Sequence, residues 1–218
     1  LVTGLGNTLL LTLVALIVGV LIGIVVAAVR STYDKTAETA RPSFGRRVFG
    51  FFNGLCKVYL TVVRGTPVVV QVMIFFYVIF ATAKDGTMVA ALAFGINSGA
   101  YVAEIIRGGI MSIDNGQFEA GRSLGFNYLQ TMRYIIVPQT IKNVLPSLMN
   151  EFIALLKETS VAGYVAVQDL TKAGDIIRSR TYSAFMPLIA VALIYLAVVM
   201  FFTWLVGKLE RRLRASDH

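Results

Sequence analysis

The chain has 218 residues, with 20 Lys and Arg against 12 Asp and Glu for a formal net charge of +8. Hydrophobic residues make up 56% and charged residues only 15%, against about 25% charged in an ordinary globular domain, and mean hydropathy is +0.73. These values exclude a disordered basic tail, which needs low hydrophobicity, a soluble domain, which would expose too much apolar surface, and a nucleic-acid binder, because the basic residues form no single patch.

Residues 1–29, 65–83, 86–103 and 181–207 contain no charge. A membrane span needs about 20 apolar residues, so the chain reads as an all-α integral membrane protein. The first stretch is no ordinary signal peptide, since it has no basic leader and a long apolar core. The chain starts at Leu1 rather than Met, which leaves room for a short natural segment before it. The single Cys56 permits no internal disulfide and reads as a small buried residue.

In chain order, span one is expected over about 8–29, with Gly19 and Gly23 as a small-xxx-small pair for close helix packing. A basic connector follows, with Arg30, Lys35, Arg41, Arg46, Arg47 and Lys57 against Asp34 and Glu38. Span two is expected over about 48–83. As one helix it would be about 54 Å long against a core of about 30 Å, so it must bend, tilt or start at the interface, with Pro67 the obvious bend. Span three is expected over about 88–107, a polar segment over 108–136, span four over about 138–165, a polar connector over 166–182, and span five over about 184–206 with a basic tail. Five spans put the termini on opposite sides. Thirteen Lys and Arg then fall on one face and four on the other, so the positive-inside rule places the N-terminus outside and the C-terminus in the cytoplasm.

Ionisable residues inside spans are costly and therefore functional candidates. Asn97, Tyr101 and Glu104 lie near one helix face by spacing, with Ser98 one turn before Tyr101. Glu104 reads either as a substrate acceptor or as a bundle-holding partner of Arg107 or Arg64. Asn150, Glu151, Lys157 and Glu158 form a second cluster, for which substrate contact and a structural ion-pair network are equal alternatives. Arg64-Gly65-Thr66-Pro67 can open a helix, which at membrane depth is tolerated only where the backbone is protein-buried or lines a cavity. Residues 117–124 read as a short amphipathic helix ended by Gly125, suited to a groove on a soluble partner or to the lipid surface.

At this point the motifs carry a resemblance. Glu119, Ala120, Gly125, Ile135 and Pro138 match the spacing of the EAA signature of ABC importer permeases, with Gly121 and Val137 departing at two small or apolar positions. Arg64 to Pro67 with Gln71 resembles the RGTPxxxQ stretch of the polar-amino-acid subfamily. Ser98 to Gly109 is similar to its next motif, and Leu156 to Ser160 to its LKDTS motif with Glu158 for Asp. The resemblance covers essentially the whole chain.

It implies one transmembrane permease domain over 1–218, with about five helices of the type I importer, MetI-like fold and a cytoplasmic coupling segment near 114–130. It implies a subunit of the bacterial inner membrane that carries a polar amino acid by alternating access. A basic one is favoured if the site is net acidic, with arginine, histidine or lysine preferred and glutamine possible. Implied substrate residues are Glu104, Asn97, Ser98, Tyr101, Thr66, Pro67, Gln71, Glu158 and Ser160. Implied coupling residues are Glu119, Ala120, Gly121, Arg122, Ser123, Leu124 and Gly125, with the two glycines allowing close approach and the turn out of the partner's groove. Implied partners are a cytoplasmic ATPase dimer, a second permease subunit, an external amino-acid-binding protein and membrane lipid, but no nucleic acid. The sequence has no phosphate loop, so no cofactor is expected in this chain and ATP with Mg belongs to the partner. The only His is His218, which leaves no His-based metal or acid–base centre for an enzyme. The rival readings are a stand-alone channel or secondary transporter using the intramembrane charges as an ion path, and a membrane scaffold.

Overall fold

A computed structural model of the chain describes residues 1–36 and 43–215, with side chains to Leu213. Glu38 and Arg41 of the basic connector lie outside the described residues, as do the side chain of Arg214 and all of His218. The regular structure of the described residues is all helical, with no strand among them.

Helix α1 runs Val2–Lys35, longer at both ends than the span expected over 8–29. Nothing in 30–35 breaks a helix, and Lys35 in the last turn complements the macrodipole. α2 is Phe44–Gly65, capped by the Ser43 hydroxyl. α3 is Val68–Ile74, prolonged by a π turn over Phe75–Ile79. The predicted bend is therefore a full break, and α2 and α3 meet at 109°. α4 is Gly86–Met111, whose N-terminus is capped by Asp85 through the amides of Thr87 and Met88. Two short helices follow, α5 over Asn115–Ser123 and α6 over Tyr128–Thr131. A π turn over Met132–Ile136 leads into α7, Val137–Glu158. The expected span to residue 165 stops helically at Glu158, where a 3₁₀ segment takes over through Val165. Ahead of that switch the Thr159 hydroxyl bonds back to the Leu156 carbonyl at 2.9 Å, the kind of local bond that competes with α-helix. α8 is Leu170–Thr181 and α9 is Phe185–Ala215.

Among the described residues three helices, α1, α4 and α9, are long and apolar enough to cross a membrane, and the bent α2–α3 pair makes a fourth if it counts as one span. α7 has 22 residues, about 33 Å, so it has the length. It carries four charged residues, Lys142, Glu151, Lys157 and Glu158.

The α1–α4 seam is the spine. The two helices run parallel, because Val18 meets Gly95, Gly19 meets Ser98 and Gly23 meets Val102 in rising order. A Cβ on Gly23 would lie 2.5 Å from Val102 Cγ1, so these glycines set the helix separation. α7 runs antiparallel to α4, with Val144 against Gly109 and Glu151 against Ser98. Leu11, Ala15, Val72, Phe94, Leu155 and Val165 form the core where α1, α3, α4 and α7 converge.

The ends of α1 mark the two faces of the bundle. At one end, the Thr8 hydroxyl accepts the Leu170 amide of α8 at 3.0 Å. At the other, Thr32 meets Tyr128 of α6 and Lys35 donates to Asn115 of α5 at 2.7 Å. Thr8 and Thr32 are about 36 Å apart along the helix, more than the hydrocarbon thickness. The 166–182 connector and the α5–α6 segment thus sit at opposite faces.

Candidate functional site

The α2–α3 corner positions the site. Thr66 (φ −123°, ψ 146°) and Pro67 (φ −63°, ψ 135°) are extended, because Pro67 supplies no N–H and its ring disfavours helix before it. Three side chains surround the break. The Thr66 hydroxyl donates to the Val62 carbonyl at 2.9 Å. The Gln71 amide donates to the Val63 carbonyl at 2.8 Å, the Thr66 carbonyl at 3.0 Å and the Thr66 hydroxyl at 2.7 Å. Asn97 on α4, 2% exposed, donates to Gln71 Oε1 at 3.0 Å. Tyr59 on α2 donates to the Ile96 carbonyl at 2.5 Å.

Beside the corner opens a cleft of about 550 Å³ lined by Arg30, Lys57, Leu60, Thr61, Arg64, Gly65, Tyr101 and Glu104. Three cations face it against one carboxylate. The Arg64 guanidinium lies 5.6 Å from the Tyr101 ring centroid, and Arg30 donates to Asn53 at 3.4 Å. No carboxylate lies within ion-pair distance of Arg30, Lys57 or Arg64 among the described residues. Glu104 is engaged by Arg107 at 3.3 Å, and Arg107 also reaches Asp34 on α1 at 3.4 Å. The pairing of Glu104 with Arg107 is thus present, and the cleft is cationic where a net acidic site was the condition for favouring basic substrates.

Of the residues named from the sequence, Tyr101 and Glu104 line this cleft, with Arg64 and Gly65 of the same motif. Thr66, Pro67, Gln71 and Asn97 build the corner behind it. Ser98 turns to the other side of α4 and donates to Glu151 on α7 at 2.8 Å. Glu158 is half-buried at the end of α7. Ser160 lines a different opening with Tyr164, Thr171, Lys172 and Asp175. There Arg178 and Lys172 hold the Asp175 carboxyl below its usual value. Sequence reasoning missed Arg30, Lys57 and Thr61. The spacing of Lys57, Thr61 and Arg64 puts them on one face of α2 and could have flagged two of them. Nothing in the sequence brings Arg30 there.

At the face near Lys35, α5 is held by its inner side. Asp114 caps it through the Gly116 amide at 2.6 Å. Phe118 packs with Ile110, Ile113 and Ile136, under the Lys35 ammonium 4.7 Å from its ring. Gly121 is buried against Thr131, whose hydroxyl would be 2.6 Å from an added Cβ. Its close approach is therefore to its own chain. Glu119, Ala120, Arg122, Ser123 and Leu124 are exposed, Leu124 at 70%. Gly125 has φ +78°, its amide bonds to the Arg122 carbonyl and the Phe126 amide to the Gly121 carbonyl. This is a Schellman ending. The result is a rigid short helix presenting a polar stripe and one leucine outward.

Comparisons with known proteins follow the same outline. The family profile for "Binding-protein-dependent transport system inner membrane component" matches residues 19–215. The glutamine transport system permease protein GlnP of Escherichia coli (strain K12) is 37% identical, over 77% of this chain and 80% of that protein. The arginine transport system permease protein ArtQ of Bacillus subtilis (strain 168) is 35% identical, over 78% and 84%. A crystal structure of an amino acid ABC transporter with histidines superposes with TM-score 0.83 at 39% identity, covering 97% of this chain and 92% of that one. An inward-facing methionine transporter, MetNI, superposes with TM-score 0.80 at 19% identity, covering 98% and 95%, a likeness of fold.

Proposed function

The chain belongs to the family of binding-protein-dependent transport system inner membrane components, and from that premise we propose that it moves a polar amino acid through the cleft at the α2–α3 corner. It is a permease subunit of an amino acid ABC importer of the bacterial inner membrane, not an enzyme; ATP is hydrolysed by a separate ATPase subunit. The observation that carries the finer reading is the charge of the cleft. Arg30, Lys57 and Arg64, without carboxylate partners among the described residues, converge with Thr61 on one opening. A carboxylate is the group that such a set binds best, and every α-amino acid has one. Tyr101 and Glu104 face the same space and suit the ammonium end. The charge pattern therefore selects what amino acids share. A preference for arginine, histidine or lysine requires Glu104 to be released from Arg107, whereas glutamine needs no such release.

Coupling is assigned to α5. Its exposed Glu119, Ala120, Arg122, Ser123 and Leu124 would seat in a groove of a cytoplasmic ATPase dimer carrying ATP and Mg, and closure of that dimer would rock the bundle between access states. A second permease subunit, this chain or a paralogue, would complete the pathway, and an external binding protein would deliver the substrate. The N-terminus outside and C-terminus inside follow from the charge count, which puts α5 on the cytoplasmic face.

The test is reconstitution of the complete transporter with its ATPase and binding protein, screened with all twenty amino acids. Uptake and ATP hydrolysis that rise together for one or a few of them support the reading. Uptake that proceeds without ATP would instead favour the channel or secondary-transporter alternative.

A further inference from the structure

At the corner, side chains replace two of the helical hydrogen bonds that the break removes. In an unbroken helix the Val62 carbonyl would accept the amide of residue 66, and the Val63 carbonyl the amide of residue 67. Residue 67 is proline and has no N–H. Thr66 has left helical geometry. The Thr66 hydroxyl takes the first carbonyl at 2.9 Å and the Gln71 amide takes the second at 2.8 Å. The Thr66 hydroxyl, having donated its proton, accepts from the same amide at 2.7 Å. Gln71 Oε1 then accepts from Asn97. Donation runs in one direction, from Asn97 on α4 through Gln71 on α3 to the last turn of α2.

We propose that Gln71 is a positioning residue, whose amide replaces the one bond to the Val63 carbonyl that Pro67 deletes and, through Asn97, clamps the α2–α3 corner to α4 so that Arg64 and Gly65 face the cleft. Its oxygen and its two N–H groups are all engaged by protein atoms, so it has no donor left for a substrate. Asn97, 2% exposed, stands behind it. The inference rests on the reading of the cleft as the substrate path, and it reassigns Gln71, Thr66 and Asn97 from that path to the frame that holds it. The network gives the break a single geometry. Backbone carbonyls left open at membrane depth would otherwise be costly.

The directionality makes the proposal testable. In Gln71→Glu the ionised carboxylate still accepts from Asn97 but turns an acceptor toward the Val63 and Thr66 carbonyl oxygens, neither of which can donate. When protonated it regains one donor. In Gln71→Met the volume is kept and no donor exists at any pH. Uptake by the complete transporter in proteoliposomes is measured as KM and kcat from pH 8 to pH 5.5, each variant as a ratio to the unmodified transporter. Ionisable groups on the elements packed around the corner include Lys57, Tyr59 and Arg64 on α2, Tyr77 on the π turn, Tyr101, Glu104 and Arg107 on α4, Glu151, Lys157 and Glu158 on α7, and Tyr164 on the 3₁₀ segment. They are common to all three proteins and cancel in the ratio. The expected result at pH 8 is a KM raised about 10-fold or more in both variants, the scale of losing one bond from a polar network, with kcat changed less. As pH falls, Gln71→Glu recovers and Gln71→Met does not. Equal losses without pH dependence, or an unchanged KM in both, would overturn the proposal. If Gln71→Glu fails to assemble, Thr66→Val replaces it. There a raised KM at similar kcat supports the network, and an unchanged KM overturns it. Absence of amino-acid uptake by the unmodified complex would instead overturn the functional reading, so the two failures are distinct.

Discussion

Along α1 and α4 side chains are removed so that two backbones can meet, whereas at the α2–α3 corner a backbone bond is removed and side chains are added to replace it. In the seam, Gly19, Gly23, Gly95 and Gly99 face Ser98, Val102, Val18 and Ile22 at contact distance. Buried polar groups there, such as Thr12 and Ser98, are satisfied by a carbonyl or by Glu151. At the corner the glycine has open space around it, Gly65 having nothing within 4 Å of an added Cβ, and the polar atoms carry the geometry. The seam is tied by packing and tolerates no added volume. The corner is tied by hydrogen bonds and has open space at Gly65. An importer needs both, a spine that keeps two membrane faces in register and a local irregularity where a polar solute can be met.

Glycine substitutions break this comparison most sharply. Gly23→Leu has the largest expected effect, because its side chain must displace Val102 and the Ala103 backbone. Overpacking of this kind costs about 1–3 kcal/mol, so the purified subunit should lose yield and melt well below the unmodified protein. Gly125→Val comes next. It has space, but its φ of +78° costs a branched residue about 1–2 kcal/mol. The loss should appear chiefly as reduced amino-acid-stimulated ATP hydrolysis, since the strained turn presents α5. Normal stimulation would count against α5 as the coupling element.

How much of this was legible in advance depends on what carries each feature. The spans, the break at Pro67 and the turn at Gly125 are local, written in apolar runs and in residues with unusual backbone chemistry. α5 was legible as a short amphipathic helix, but the inward placement of Gly121 was not, because only the fold brings Thr131 against it. The cleft was half legible. Arg64, Tyr101 and Glu104 stood out as polar groups in apolar helices, while Arg30 lies far away in sequence and reaches the cleft only because α1 and α2 pack. The polar stripe on α4 looked like one functional face. In the fold it divides three ways, Asn97 to the corner, Ser98 to α7 and Tyr101 with Glu104 to the cleft, because helix neighbours differ every 100° around the axis.

Smaller effects sharpen the contrast at the face of the membrane opposite α5. Asp169 is fully buried and caps α8 through the amides of Thr171 and Lys172, both at 3.0 Å. Burial pushes its carboxyl above the usual value, with these bonds opposing. A raised acid favours its protonated form in the fold, so its contribution is fully present below the unfolded value and is lost as pH rises through the folded one. Asp169→Asn caps as well and does not titrate. Its melting temperature relative to the unmodified protein should therefore improve from pH 4 to pH 7. A constant or shrinking difference would contradict the assignment. Gly65→Ala should be the mildest change, neutral or stabilising by up to about 1 kcal/mol, with KM for uptake within about twofold. A large loss there would mean that the corner, like the seam, depends on space.

The account turns on the cationic cleft receiving a substrate carboxylate. The most direct measurement is the KM for amino-acid uptake by the complete transporter carrying Arg64→Gln, with the carboxamide derivative of the same amino acid as competitor. Loss of a charge-assisted bond of about 1.5–3 kcal/mol predicts a KM raised about 10- to 100-fold with kcat little changed, and a carboxamide that competes poorly in the unmodified transporter but no worse than the amino acid in the variant. An unchanged KM, or a carboxamide that competes as well as the amino acid throughout, would contradict it.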